Sequence, residues 1–200
     1  MVRILAINGS YRDDGVTDKA FEFAAAALKR SGAEVDTVLL RDRPIEFCLN
    51  CRACMQEPGE EPGHCVLDDS MHDLVERIEN ADGYVLGAPT NLGSVTAIFK
   101  RFMERLAVYA YWPPGQGAPK FRKAGFKNKK AVLISSSAAP GLLGRFLFDS
   151  SKQLKMTAQT IGARPVGTVF VGLANEDVKA DLPTRHARKT ERVVAKLLTT

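Results

Sequence analysis

Short apolar runs alternate with longer segments whose apolar positions recur every three or four residues, the pattern of strands alternating with amphipathic helices. Residues 2–7 (VRILAI) read as a buried strand, and residues 17–30 (TDKAFEFAAAALKR) as a helix of strong helix formers stopped by Ser31-Gly32. Residues 34–40 form a second strand. Residues 69–80 (DSMHDLVERIEN) place Met71, Leu74, Val75 and Ile78 on one helical face. A third strand over 83–88, a third helix over 95–108 (VTAIFKRFMERLAV) and a fourth strand over 131–135 follow. A fourth helix over 143–161 ends at Gly162, residues 166–171 form a fifth strand, and 183–198 the closing helix. Strands that alternate with helices predict a parallel sheet covered on both faces, because each parallel crossover needs a helix and is right-handed.

This three-layer α/β arrangement tells where a ligand would sit. In open parallel sheets it lies beyond the carboxyl ends of the strands, where the strand order reverses. The loops after the first, third and fourth strands are therefore the ones to read. The first is Asn8-Gly9-Ser10-Tyr11-Arg12-Asp13-Asp14-Gly15-Val16-Thr17, running straight into a helix. Free N–H groups and the positive end of a helix dipole converge there on an anion, with hydroxyls at Ser10 and Thr17 and a guanidinium at Arg12. It is a phosphate cradle by chemistry, yet it has neither the GxGxxG of a dinucleotide fold nor the GK[ST] of a P-loop. After the fourth strand, Ser135 to Gly141 is a run of small residues, among which Ser136 and Ser137 could bond the edge of a flat ring.

The stretch GSYRDDGVT resembles the GSxRxxGxT phosphate loop of the NADPH-dependent FMN reductase family, within the flavodoxin-like superfamily. Residues 67–106, through GAPTNLGSVTAIFKRFMERL, are similar to that family's helix, strand and following segment. The resemblance implies a flavodoxin-like sandwich with a five-stranded parallel sheet in the order 2-1-3-4-5. Ser10, Arg12, Val16 and Thr17 would hold the FMN phosphate, and Pro89, Thr90, Asn91, Leu92 and Gly93 would line the flavin, whose pyrimidine side would meet Ser136 and Ser137. The family's aromatic residue near Thr90 or Asn91 is missing, so ring stacking would pass to Tyr11, Tyr111 or Trp112. The implied function is that of an FMN-dependent NAD(P)H oxidoreductase with a quinone, flavin or similar acceptor, whose chemistry is carried by FMN and not by a catalytic side chain. The alternative is a one-electron carrier serving protein partners. Flavodoxin carriers have acidic surfaces, whereas this chain carries a net charge of +5, which favours the enzyme. The family likeness also implies a homodimer or homotetramer.

Composition bounds these readings. Two hundred residues, 45% hydrophobic and 26% charged, suit one globular domain spanning 1–200, with a long loop at 109–130. No apolar stretch reaches the roughly eighteen residues of a membrane span, and the N-terminus lacks the form of a signal peptide, so the cytoplasm is the expected compartment. The basic runs KFRKAGFKNKK (120–130, with Phe121 and Phe126) and RHARKTER (185–192) raise nucleic acid as a partner, but solvated faces explain them better. His64, His72 and His186 stand in polar contexts and read as surface residues.

All four cysteines fall within CLNCRACMQEPGEEPGHC, the loop at 48–65. None is followed by arginine at the C-x5-R spacing of a phosphatase. Cys48, Cys51 and Cys54 at C-x2-C-x2-C spacing resemble three ligands of a ferredoxin cluster, and Cys65 can supply the fourth after two Pro-Gly turns. Such a motif is similar to that of iron–sulfur flavoproteins, with a [4Fe–4S] cluster beside FMN. Zinc and free thiols are the other readings, zinc being the poorer because its sites usually separate two C-x2-C pairs.

Overall fold

The structure, a computed structural model, describes residues 1–125, 128–140, 147–174 and 182–199. Strands β1 (Arg3–Asn8), β2 (Glu34–Leu39), β3 (Gly83–Asn91), β4 (Ser94–Val95), β5 (Ala110–Tyr111), β6 (Lys120–Phe121), β7 (Lys129–Ser136) and β8 (Ala163–Val171) alternate with helices. The helices are α1 (Val16–Arg30), α2 (Met71–Asn80), α3 (Ala97–Arg105), α4 (Ser150–Thr160) and α5 (Thr184–Val194). Five parallel strands run in the order β2-β1-β3-β7-β8, which is the 2-1-3-4-5 order of the flavodoxin-like fold.

The apolar runs are continuous because each strand is buried on both sides and successive side chains alternate between them. Leu5 and Ile7 pack with Met71, Leu74, Ile78, Phe99, Phe102 and Leu154 under α2, α3 and α4. Ile4 and Ala6 pack on the opposite face with Phe21, Ala24, Leu28, Val193 and Val194 of α1 and α5. Both cores end at the carboxyl edge, where β1, β3 and β7 deliver the site loops.

Several expectations are corrected. The third strand runs on through Pro89 to Asn91 and folds back as a hairpin onto β4, where Thr90 pairs with Val95 and Asn91 with Ser94. Its two-residue turn, Leu92 (φ 46°) and Gly93 (φ 79°), has the left-handed pair that matches strand twist. The loop at 109–130 contains a small antiparallel pair, β5 with β6. Residues 148 and 149 are not helical, so the described part of the fourth helix begins at Ser150, and the expected start at 143–146 lies outside the described residues. In β8, Pro165 and Gly167 pair with the adjacent Ala131 and Val132, so Val166 bulges out where proline has no N–H to give the ladder. Among the described residues no helix is long and apolar enough to cross a membrane.

Candidate functional site

A cleft of about 300 Å³ opens at the carboxyl ends of β1, β3 and β7. It is lined by Ser10, Arg12, Val16, Thr17, Pro89, Thr90, Asn91, Ser136 and Ser137, so the three loops meet as expected. Leu92 and Gly93 are not part of the lining: they form the hairpin turn, and Leu92 is fully exposed. Tyr11 lines the cleft and is half exposed. Tyr111 and Trp112 lie elsewhere in this chain, Trp112 being stacked under the Arg52 guanidinium at 4.1 Å. Gly141 lies outside the described residues.

The cradle is held from behind by a polar network that local sequence does not reveal. Asn8, fully buried, donates to Asp18 Oδ1 at 2.6 Å and accepts the Ser10 N–H at 2.9 Å. Arg41 closes the network, with Nη2 3.0 Å from Asp18 Oδ2 and 2.7 Å from Asp13, and Nη1 donating to the Ser10 carbonyl at 3.2 Å. The negative charge of Asp18 is thereby spent internally. Helix α1 starts after Gly15, which no side chain caps among the described residues, and the first N–H groups of a helix have no partner within it. Its N-terminal residues Val16 and Thr17 therefore present uncapped donors and a positive dipole end at the cleft.

Hydroxyls join the loops across the floor. Thr17 Oγ1 lies 2.9 Å from Ser136 Oγ, linking the first loop to the third, and Thr90 Oγ1 lies 2.8 Å from Ser150 Oγ. Thr96, missed in the sequence, also lines the cleft; its hydroxyl donates to the Gly9 carbonyl at 2.6 Å and accepts from Phe99 N–H as the cap of α3. Its signal was available, a threonine immediately before an apolar helical repeat.

Cys48, Cys51, Cys54 and Cys65 line a second pocket, closed on one side by Ala107. Asn50 (φ 51°) and Arg52 (φ 61°) take left-handed backbone, so the chain bends at each C-x2-C step and brings the three thiols to one concave side. Longer contacts return Cys65. Gly63 N–H donates to the Val108 carbonyl at 2.8 Å, and Arg122 from the 109–130 loop donates to the carbonyls of Val108, Gly59 and Cys54 at 3.1, 3.1 and 3.2 Å. Arg105 donates to Cys65 Sγ at 3.4 Å. All four are free thiols.

Burial pushes the Cys54 thiol up, and the nearby Cys65, Cys48 and Cys51 push it further. The Cys54 thiol therefore holds its proton until a positive centre takes it as a thiolate. Among the described residues no three His, Cys, Asp or Glu side chains are placed to hold a single metal ion. A lone tetrahedral zinc would pull all four sulfurs to about 2.3 Å from one point. A cluster instead accepts one thiolate per iron, spread over its corners, and the four cysteines of this pocket match that donor set in number and type.

The packing at Gly63 is tight: a Cβ there would lie 1.9 Å from the Cys54 carbonyl oxygen. Gly63→Ala is expected to push the cysteine loop outward at a cost of about 1–3 kcal/mol. Faster thiol labelling of Cys54 and Cys65 with unchanged flavin binding would check it.

The remaining sequence candidates are accounted for. His64 and His72 stack at 5.0 Å outside the thiol pocket, and His72 and His186 are half-buried instead of lying at the surface. The first basic run is largely used within the protein: Lys123 pairs with Glu79 at 2.7 Å, Lys129 bonds the Ile78 and Glu79 carbonyls, and Arg122 faces the cysteine loop. Phe126 lies outside the described residues.

Residues 2–176 match the family of NADPH-dependent FMN reductases. The chain belongs to that family. Within this FMN reductase family setting, an iron-sulfur flavoprotein of Archaeoglobus fulgidus is 34% identical over 183 residues, 90% of this chain and 87% of the relative. An iron-sulfur flavoprotein of Methanocaldococcus jannaschii is 30% identical over 104 residues, 52% of this chain and 51% of the relative. The chain spans about half the length of most of the curated relatives it matches. In fold, it is similar to an NAD(P)H:quinone oxidoreductase of Methanothermobacter marburgensis, with a TM-score of 0.75 over 98% of both chains at 15% identity. FMN is the cofactor of the reductase family, and the cleft fits its phosphate end: one uncapped helix terminus, hydroxyls at Ser10 and Thr17, and the charge of Arg12.

Proposed function

We propose that the protein is an FMN-dependent NAD(P)H oxidoreductase that passes electrons from a reduced nicotinamide to a quinone, flavin or similar small acceptor. The observation that carries this reading is the convergence of three separate loops on one cleft with a single anion cradle. Ser10, Arg12, Val16 and Thr17 hold the phosphate; Pro89, Thr90, Asn91, Ser136 and Ser137 line the ring, with Leu92 and Gly93 at its rim. Tyr11, the half-exposed aromatic side chain of the cleft, shields the ring from water. FMN, when bound, supplies the hydride and electron transfer chemistry. The chain's own residues bind, orient and desolvate; among the described residues the cleft lining contains no histidine, cysteine or carboxylate to act as acid or base. Four reduced cysteines suit the cytoplasm, and the exposed apolar residues Leu92, Leu147, Phe47 and Leu49 suit a homodimer or homotetramer.

A second reading, an iron–sulfur flavoprotein exchanging single electrons with protein partners, is favoured by the four thiols of one pocket. A [4Fe–4S] cluster there would supply one-electron transfer, with Cys48, Cys51, Cys54 and Cys65 as ligands. Relatives named iron-sulfur flavoproteins support it.

The test begins with flavin titration. FMN should bind in one-to-one stoichiometry and FAD far more weakly, since the cradle serves one phosphate and the described residues build no second site for an adenosine half. The loaded protein should then oxidise NADPH or NADH on addition of a quinone. Equal affinity for both flavins, or no turnover with any small acceptor, would overturn the enzyme reading.

A further inference from the structure

Arg105 is among the most deeply buried side chains of the protein, 1% exposed, yet it sits at the end of α3 beside the thiol pocket. Three acceptors converge on it from the cysteine loop and its flanks. Nη1 donates to the Glu46 carbonyl at 2.9 Å, the guanidinium forks onto the Asp69 carboxylate, with Nη2 to Oδ1 at 3.1 Å, and Nη2 also reaches Cys65 Sγ at 3.4 Å. Asp69 already balances its charge. The contact with Cys65 is therefore an addition that neutralisation does not require, and a thiol sulfur is a weak acceptor until it becomes a thiolate. Cys65 is also the cysteine whose place the local chain fixes least, ten residues of turn-rich sequence away from Cys54.

We propose that Arg105 is the positioning residue of the four-cysteine site: it fixes Cys65 for ligation and draws charge from its sulfur. The proposal rests on the reading that the four thiols hold an iron–sulfur cluster. Helix α3 is anchored in the core by Phe99 and Phe102, so Arg105 ties the Cys65 sulfur itself to the rigid scaffold, whereas Arg122 holds Cys54 through its backbone carbonyl. Hydrogen bonds to ligand sulfurs, together with net charge, set the potential of such a centre. A lysine at 105 would keep the charge but could not reach carboxylate, carbonyl and sulfur at once, because it lacks the planar fork.

Two variants test this. Arg105→Lys keeps a cation, and Asp69→Asn with Arg105→Met removes both charges together so that neither is left buried alone. Asp69→Glu keeps both the carboxylate and the Arg105 guanidinium and serves as the control. Each protein is loaded with FMN and reconstituted anaerobically with ferrous iron and sulfide. Iron and sulfide per chain, iron affinity and the midpoint potential of the centre are then measured beside FMN stoichiometry. The expected result is unchanged FMN stoichiometry, iron affinity lower by roughly tenfold or more in both Arg105 variants, and a more negative potential in whatever centre forms, with the control close to wild type. Equal iron content and potential in all four proteins would overturn the role of Arg105 alone. Loss of FMN together with iron in both Arg105 variants would make Arg105 a folding residue only and also overturn it. Wild-type protein that takes up no iron and sulfide would overturn the cluster reading and this inference with it.

Discussion

Asp69→Ala lowers the unfolding free energy by about 3–5 kcal/mol, the cost of stranding a buried guanidinium without its partner. The carboxylate and Arg105 are almost wholly out of water, with side chains 5% and 1% exposed. Asp69 also accepts the Glu46 N–H at 2.7 Å and the Met71 N–H at 2.9 Å, so alanine strands two backbone donors as well, one at the start of α2 and one in the loop after β2. Burial works to raise its pKa, but the Arg105 hydrogen bond, those two N–H groups and the Arg105 charge outweigh it and hold the carboxyl below its usual range. A depressed carboxylate stabilises the fold above its unfolded pKa, and that contribution is lost as pH falls through the lower folded value. Urea unfolding of wild type should therefore weaken below the ordinary carboxylate range, and the variant's curve should be flatter there. Asp69→Ala with Arg105→Met should recover part of the loss, because no buried charge is then left alone. A single variant as stable as wild type would mean that water reaches Arg105.

Arg12→Ala combined with Thr17→Val weakens FMN binding, each change by about 1–3 kcal/mol, or roughly 5- to 150-fold. Arg12 offers charge at the cleft, and Thr17 stands at the first turn of α1 with its hydroxyl 2.9 Å from Ser136 Oγ. Valine preserves the shape of Thr17, so the melting temperature of the flavin-free protein should change only as far as one lost hydrogen bond allows. Flavin fluorescence titration checks the affinity, and because the two residues share the loop their effects should not simply add. Unchanged affinity in the double variant would place the phosphate elsewhere.

The five parallel strands were legible because strands buried on both faces leave unbroken apolar runs, Ile4 and Ala6 facing α1 while Leu5 and Ile7 face α2 and α3. The β3–β4 hairpin was not, since a leucine in left-handed backbone is an uncommon turn residue and β4 has only two residues. At the cleft, Ser10, Arg12 and Thr17 announced themselves by type and place before a helix. Asn8, Asp18 and Arg41 did not, because a buried polar network forms between residues separated by 10 and 23 positions and has no local pattern. The cysteine spacing was plain. What gathers the thiols comes from far along the chain, Arg105 to Cys65 across 40 residues and Arg122 to Cys54 across 68.

Between Asp42 and Met71 the backbone contains one short 3₁₀ turn, Ala53–Met55, and no strand. This stretch has no ladder of its own; it is tied down at a few points, by Arg105, by Arg122, by Gly63 to Val108 and by Trp112 N–H to the Met55 carbonyl at 2.9 Å. A segment held by such ties, with Ile45 in the core and Cys54 and Cys65 packed against it, opens at less cost than the laddered sheet. If the four thiols hold the proposed cluster, biogenesis has an order. The sheet and flavin cleft can form on the newly made chain, while the thiol loop stays open for delivery of inorganic material and closes last. Amide exchange in the 43–70 stretch should accordingly be fast in freshly folded protein and slow once the four cysteines are occupied.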